Sequence, residues 1–208
     1  MSNTHIDTIV FDLGGVLLDW NPRYVYKEIF ESEEKVEWFL EHICTHDWNI
    51  QQDAGRTLAE ATEFLISKHP EWEKEIRIYY DRWADMLGGA IQETVDLLQD
   101  LVKSNTYRIL ALTNWSGETF PTAKALFPFL HWFEGVVVSG DERLIKPDHR
   151  LYHVLFDRYS VDPRKAVFID DSLPNILAAR ELGMTAFHFR STRLLLEEMA
   201  EAGIWPRD

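Results

Sequence analysis

The residues best suited to chemistry sit at four stations along the chain: Asp12 with Leu13-Gly14-Gly15 behind it, Thr113-Asn114, Lys146-Pro147, and Asp170-Asp171. Asp12 and Asp170 each follow an apolar run, Ile9-Val10-Phe11 and Val167-Phe168-Ile169, whose residues suit a strand interior. A lone acid in that position is a turn former or a helix cap. Two adjacent acids add repulsion without structural gain, and three carboxylates converging on one crevice take up protons unless a cation lies between them. Mg²⁺ meets that need with oxygen ligands, and together with the Lys146 ammonium it balances the charge of Asp12, Asp170 and Asp171. Such a frame suits a phosphate. Its further donors are expected from the backbone N–H groups around Leu13, Gly14 and Gly15, from the Thr113 hydroxyl, and from N–H groups near Asn114, where a helix is expected to begin.

Convergence requires elements that carry the four stations to one edge. Thr8 to Phe11, Arg108 to Leu112, Gly135 to Val138, Ala166 to Ile169 and Thr185 to Phe189 read as short apolar strands separated by helical stretches. That alternation predicts an α/β fold with a mainly parallel sheet. The polar stations fall just past the strands' carboxyl ends, where such sheets place their ligand crevice. Ile91 to Lys103 is expected to be an amphipathic helix, with Val95, Leu98 and Val102 at helical spacing. From about Asn21 to the Gly88-Gly89 break there is no strand signal. Helices rich in Glu, Trp, Tyr and Phe are expected there, broken near Asp53 to Gly55 and His69-Pro70.

Phe11-Asp12-Leu13-Gly14-Gly15-Val16, Leu112-Thr113-Asn114, Ile145-Lys146-Pro147-Asp148 and Phe168-Ile169-Asp170-Asp171, in that order, resemble the motifs of the haloacid dehalogenase-like superfamily. Asp171-Ser172-Leu173-Pro174-Asn175-Ile176, with Ala178-Ala179-Arg180 and Leu182-Gly183-Met184 after it, resembles the loop, helix and turn behind the last motif. The resemblance covers the whole chain and points to the phosphatase-like branch with an α-helical cap between the first two motifs. It implies a Rossmann-like three-layer core over 1–20 and 88–208 and a cap over 21–87. The implied activity is Mg²⁺-dependent hydrolysis of a small phosphorylated metabolite, a sugar phosphate by preference. Asp12 would attack phosphorus to give an aspartyl-phosphate, while Lys146 and the metal stabilise the equatorial oxygens. The implied metal ligands are Asp12, the Gly14 carbonyl and Asp171, with Asp170 binding directly or through water.

The chain departs from the family at Gly14, where a second Asp usually stands. Glycine keeps the backbone carbonyl but removes a side-chain acid, a contribution of ~10²- to 10⁴-fold in rate. A substitute is expected from the cap or from Asp19, which lies close in sequence to the nucleophile. Two other readings follow from the same residues. A 2-haloacid dehalogenase uses the same nucleophilic Asp but lacks the last acidic pair, and a catalytically weak metal-binding or regulatory protein would account for Gly14.

With 208 residues, 46% of them hydrophobic, the chain can bury a full core. Its 21 Lys plus Arg against 35 Asp plus Glu leave a net charge of -14, which opposes nucleic acid and anionic lipid. Cys44, the single cysteine, is expected to be an ordinary buried thiol, and with no apparent targeting segment or membrane span the default location is the cytoplasm, as a monomer or homodimer. In the cap, His46-Asp47-Trp48-Asn49 and Gln51-Gln52-Asp53-Ala54-Gly55 either place specificity residues over the crevice or supply core packing and a helix-breaking turn. Trp115 either walls the pocket or packs. Asn175 is expected to hold the Asp170 loop.

Overall fold

The structure, a computed structural model, describes residues 5–205. Its centre is β1 (Thr8–Phe11), with all four residues buried. The chain then forms a short strand, β2 (Leu18–Trp20), and leaves into five helices: α1 (Arg23–Ile29), α2 (Glu33–His42), α3 (His46–Asp53), α4 (Leu58–Lys68) and α5 (Glu73–Asp81). It returns through β3 (Leu87–Ala90) and α6 (Gln92–Ser104) to β4 (Arg108–Thr113), α7 (Phe120–Leu126) and β5 (Gly135–Val138). After these come α8 (Ser139–Glu142), α9 (His149–Tyr159), β6 (Ala166–Asp170), α10 (Leu173–Glu181), β7 (Thr185–His188) and α11 (Thr192–Glu201).

Five strands form one sheet in the order β5-β4-β1-β6-β7, every neighbouring pair parallel. Side chains alternate between its faces with the period of two that a strand imposes. Ile9, Phe11, Ile109 and Ile169 enter one core, while Val10, Leu110, Leu112 and Phe168 enter the other. This is a Rossmann-like, three-layer α/β core. The first of the two cores continues into the cap through Tyr26, Phe39 and Tyr79. Strand order reverses between β1 and β6, and the crevice outside their carboxyl ends is where such sheets bind ligands. Asp12 follows β1 and Asp170 closes β6.

The strands lie where the sequence predicts them. β4 and β6 run one residue further than expected and β7 stops one short, while the helix expected at 91–103 spans Gln92–Ser104. In the cap, α3 ends at Asp53 and α4 begins behind a capping box, in which Thr57 accepts from the Glu60 N–H and Glu60 reaches back. The unforeseen feature is a two-stranded antiparallel ribbon of β2 with β3, Leu18 opposite Ala90 and Asp19 opposite Gly89. Three residues on one side and two glycines on the other carry almost no strand signal, and their pairing with each other makes them strands. The ribbon ties together the two crossings between core and cap. It also turns the Asp19 carboxylate to the Tyr24 hydroxyl, and Asp19 does not line the crevice. Among the described residues no helix is long and apolar enough to cross a membrane.

Candidate active site

Lys146 organises the crevice. Its Nζ lies 3.0 Å from Asp12 Oδ2 and 2.7 Å from Asp170 Oδ2, and it donates to the Leu112 carbonyl at 2.8 Å. The side chain is 0% exposed, so the ammonium is held entirely by protein partners. All three of its hydrogens are thereby used, and a bond to a phosphate oxygen would form by exchange with one of them. Its backbone is fixed by Asn114: the Lys146 N–H donates to Asn114 Oδ1 at 2.8 Å, and Asn114 Nδ2 donates to the Lys146 carbonyl at 3.0 Å. No helix begins at Asn114. The next one starts at Phe120, and the Asn114 side chain positions Lys146 instead of capping.

Asp12 and Asp170 differ in what their oxygens have left to give. Asp12 Oδ1 accepts the Leu13 N–H at 2.7 Å. Asp170 is fully buried, takes the Ser172 N–H at 2.7 Å, and receives Asn175 Nδ2 at 3.1 Å on both oxygens. Asn175 thus holds the Asp170 loop as expected, and Asp170 spends its charge on Lys146. The expected donor role of Gly15 is replaced by a steric one. Its N–H goes to the Leu18 carbonyl at 2.9 Å, and a Cβ on it would stand 2.2 Å from Asp171 Oδ2. With φ at +73°, only glycine suits this turn and leaves room for the Asp171 carboxylate. A Cβ at Gly14, by contrast, would meet nothing within 4 Å.

Three carboxylates share one ammonium. Burial pushes the Asp12 carboxyl up to about 8; Lys146 pulls it down, and the charges of Asp170 and Asp171 push it further up. Asp171 is raised by burial and then by Asp170. Burial works against the Lys146 ammonium, but Asp12 and Asp170 outweigh it and the net shift is upward. The site is short of a positive charge. One oxygen each from Asp12, Asp170 and Asp171 lie within 4.8 Å of one another, a hard all-oxygen donor set that fits a Mg²⁺ ion. The Thr113 hydroxyl is buried with no hydrogen-bond partner among the described residues, an orphan of the kind that a ligand oxygen satisfies.

Above these groups lies a cavity of about 460 Å³ bounded by Asp12, Gly14, Lys146 and Asp171 below and by the cap above. From the two cap segments, His46, Asn49, Gln52 and Asp53 line it. Trp48 does not; it packs against Tyr79 with ring centroids 5.1 Å apart and donates its Nε1 to the Ala61 carbonyl. Trp115 does both jobs, lining the cavity while packing edge-on against Trp83 at 5.8 Å. Trp20, Tyr80 and Trp83 complete an aromatic wall that the sequence did not reveal, because each lies at or beside an element end and carries no motif.

Asp53 is the one carboxylate of the cap in this wall. Burial pushes its carboxyl up to about 7, with a hydrogen bond from the Ser116 backbone and the Lys146 charge pulling back. An acid whose folded value is raised stabilises the fold below its unfolded value of 3.8, and that contribution is lost as pH rises through about 7. Asp53→Asn escapes this loss. The variant should therefore melt above the wild type near about pH 8, with the gap closing towards about pH 4, as read by scanning calorimetry at both values.

The haloacid dehalogenase-like hydrolase family matches residues 6–183. A sesquiterpene phosphatase of Aspergillus oryzae is 23% identical over 198 residues, covering 95% of this chain and 97% of its own length. A phosphorylated carbohydrates phosphatase of Thermotoga maritima is 26% identical over 217 residues, covering 98% and 96%. In three dimensions, a HAD family enzyme of Bacteroides thetaiotaomicron in complex with magnesium and inorganic phosphate superposes with a TM-score of 0.67 at 22% identity, over 89% of this chain and 94% of that one. The match spans every station of the crevice, from Asp12 to Asp171. The chain belongs to the haloacid dehalogenase-like hydrolases.

Proposed function

We propose that this protein is a Mg²⁺-dependent phosphatase that hydrolyses a small phosphorylated metabolite through an aspartyl-phosphate on Asp12. The observation that carries the reading is the setting of Asp12: a strand-end carboxylate fixed by Lys146 and the Leu13 N–H, in a cluster of three carboxylates with one ammonium, at the floor of a cavity beneath the cap. Asp12 and Asp171, whose oxygens are less committed than those of Asp170, would hold the metal with the Gly14 carbonyl, and Asp170 would act through Lys146. Bound there, Mg²⁺ supplies positive charge opposite the transferring phosphoryl oxygens. Lys146 orients Asp12 for attack on phosphorus, and the Thr113 hydroxyl donates to a phosphoryl oxygen. The cap over residues 21–87 excludes bulk water and large substrates. A sugar phosphate suits the wall, where Trp20, Tyr80 and Trp83 supply apolar ring surface beside the polar groups of His46, Asn49 and Gln52. The Thermotoga relative is named for phosphorylated carbohydrates, which supports that substrate class. The same reading places the protein in the cytoplasm, as a monomer or homodimer.

The expected result is Mg²⁺-dependent release of phosphate from p-nitrophenyl phosphate and from sugar phosphates, with no halide released from 2-chloropropionate in EDTA. Halide release without metal would replace this reading with dehalogenation. Binding of the ion is expected separately from turnover. At about 100 times Kd, Mg²⁺ should raise the melting temperature by about 5–10 °C, and Asp171→Asn or Gly15→Ala should remove most of that shift.

A further inference from the structure

Gly14 leaves the phosphatase without the acid its family usually places there, and the structure offers one carboxylate on the opposite wall. Asp53 lines the same cavity as Asp12, Gly14 and Asp171. Although it belongs to the cap, it is pinned to the core. Its carboxylate takes a hydrogen bond from the Ser116 backbone, and its carbonyl accepts from Ser139 Oγ at 2.6 Å. Two residues on, Gly55 at φ +93° lies so close to α8, the short helix behind β5, that a Cβ would stand 2.9 Å from the Gly140 carbonyl. Asp53 therefore keeps a set position relative to the nucleophile.

Its local chemistry favours the protonated acid. It is the last residue of α3, where the helix dipole disfavours a carboxylate, and no residue of the last turn is basic. Among the described residues no ion pair reaches it. Lys146 is the cation whose charge acts on it, and that ammonium already serves Asp12 and Asp170. Around it stand the Tyr79 and Tyr80 phenols, both pushed up by burial and so neutral, and the guanidinium groups of Arg56, held by Gln52 and the Trp48 carbonyl, and Arg143, beside Gly55, while His46, Asp12 and Asp171 line the same cavity. A carboxyl held near neutrality is what an acid that must also serve as a base requires.

We propose that Asp53 is the general acid and base of this phosphatase, acting from the cap in place of the side chain missing at Gly14. The proposal rests on the phosphatase reading above. As Asp12 Oδ bonds to phosphorus, the bond from phosphorus to the leaving oxygen breaks and the Asp53 proton passes to that oxygen, releasing a neutral alcohol. Water then attacks phosphorus, its proton returns to the Asp53 carboxylate, and phosphate leaves with the Asp12 carboxylate restored.

Leaving-group dependence separates this role from mere docking of the cap. Single-turnover alcohol release is measured with Mg²⁺ for an alkyl phosphate, whose alkoxide needs protonation, and for p-nitrophenyl phosphate, whose phenolate leaves without it. Asn at position 53 keeps an acceptor for the Ser116 N–H, and melting curves check the fold. Asp53→Asn should lose ~10²- to 10⁴-fold on the alkyl ester and almost nothing on the nitrophenyl ester. Asp53→Glu, which keeps the proton, should recover part of the alkyl rate. Equal loss on both esters, loss on neither, or a Glu variant no better than Asn would overturn the proposal while leaving the phosphatase reading intact. Release of neither alcohol by the wild type would remove that reading and the proposal with it.

Discussion

Asp12→Asn should abolish hydrolysis of phosphate monoesters, by at least ~10⁴-fold in kcat, the scale of loss when a nucleophile is removed, while the protein stays folded. Asparagine matches the volume of aspartate, so no cavity opens. Its oxygen can still take the Leu13 N–H, and Lys146 keeps Asp170 and the Leu112 carbonyl as partners. The loss therefore reports on chemistry, and a melting curve without Mg²⁺ close to that of the wild type would establish it. Retained turnover in Asp12→Asn would mean that water attacks phosphorus directly and that Asp12 only binds metal.

The second large effect concerns stability. Lys146→Met removes the ammonium between two buried carboxylates and leaves Asp12 and Asp170 facing each other without a counter-charge. Taking one partner from a buried ion pair costs ~3–5 kcal/mol, far more than the net value of the pair itself. For a chain of this length that is a fall of about 6–20 °C in melting temperature, together with loss of turnover because Asp12 is no longer oriented. Exposed pairs give the contrast. Arg193 with Glu197 has side chains 72% and 53% exposed, and cutting it should change stability by less than ~1 kcal/mol. Urea denaturation of the two variants side by side measures the difference directly.

Much of the crevice was legible because parallel strands write themselves plainly. Four or five buried residues with an acid or a hydroxyl at the carboxyl end mark both a strand and the edge it delivers to, as β1, β4 and β6 do. What stayed hidden depends on partners far away in sequence. Nothing local shows that Asn114 brackets Lys146, that the Gly15 N–H turns to Leu18, or that Asp170 exhausts its oxygens on Lys146, Ser172 and Asn175. The β2–β3 ribbon was missed for the same reason, since glycine-rich β3 is a strand only against β2. Asp19 looked close to the nucleophile in sequence, yet the ribbon turns it to Tyr24. Asp53 did leave a trace. An acid at a helix C-terminus, followed by Ala-Gly, opposes the helix dipole, and a residue that weakens its own helix is a candidate for another use.

Gly14 and Asp53 belong to one design question, namely where the proton donor stands. In this chain Asp12, Lys146 and Asp171 lie at the floor of the crevice, while the cap brings aromatic side chains and the Asp53 carboxyl to its wall.

The covalent intermediate is the centre of this account, and borohydride trapping during turnover tests it most directly. Reduction of an aspartyl-phosphate gives homoserine, so mass spectrometry of the peptide containing Asp12 should show that conversion only when Mg²⁺ and a phosphate ester are both present. Turnover with Asp12 unmodified, or with homoserine at another carboxylate such as Asp53 or Asp171, would contradict it.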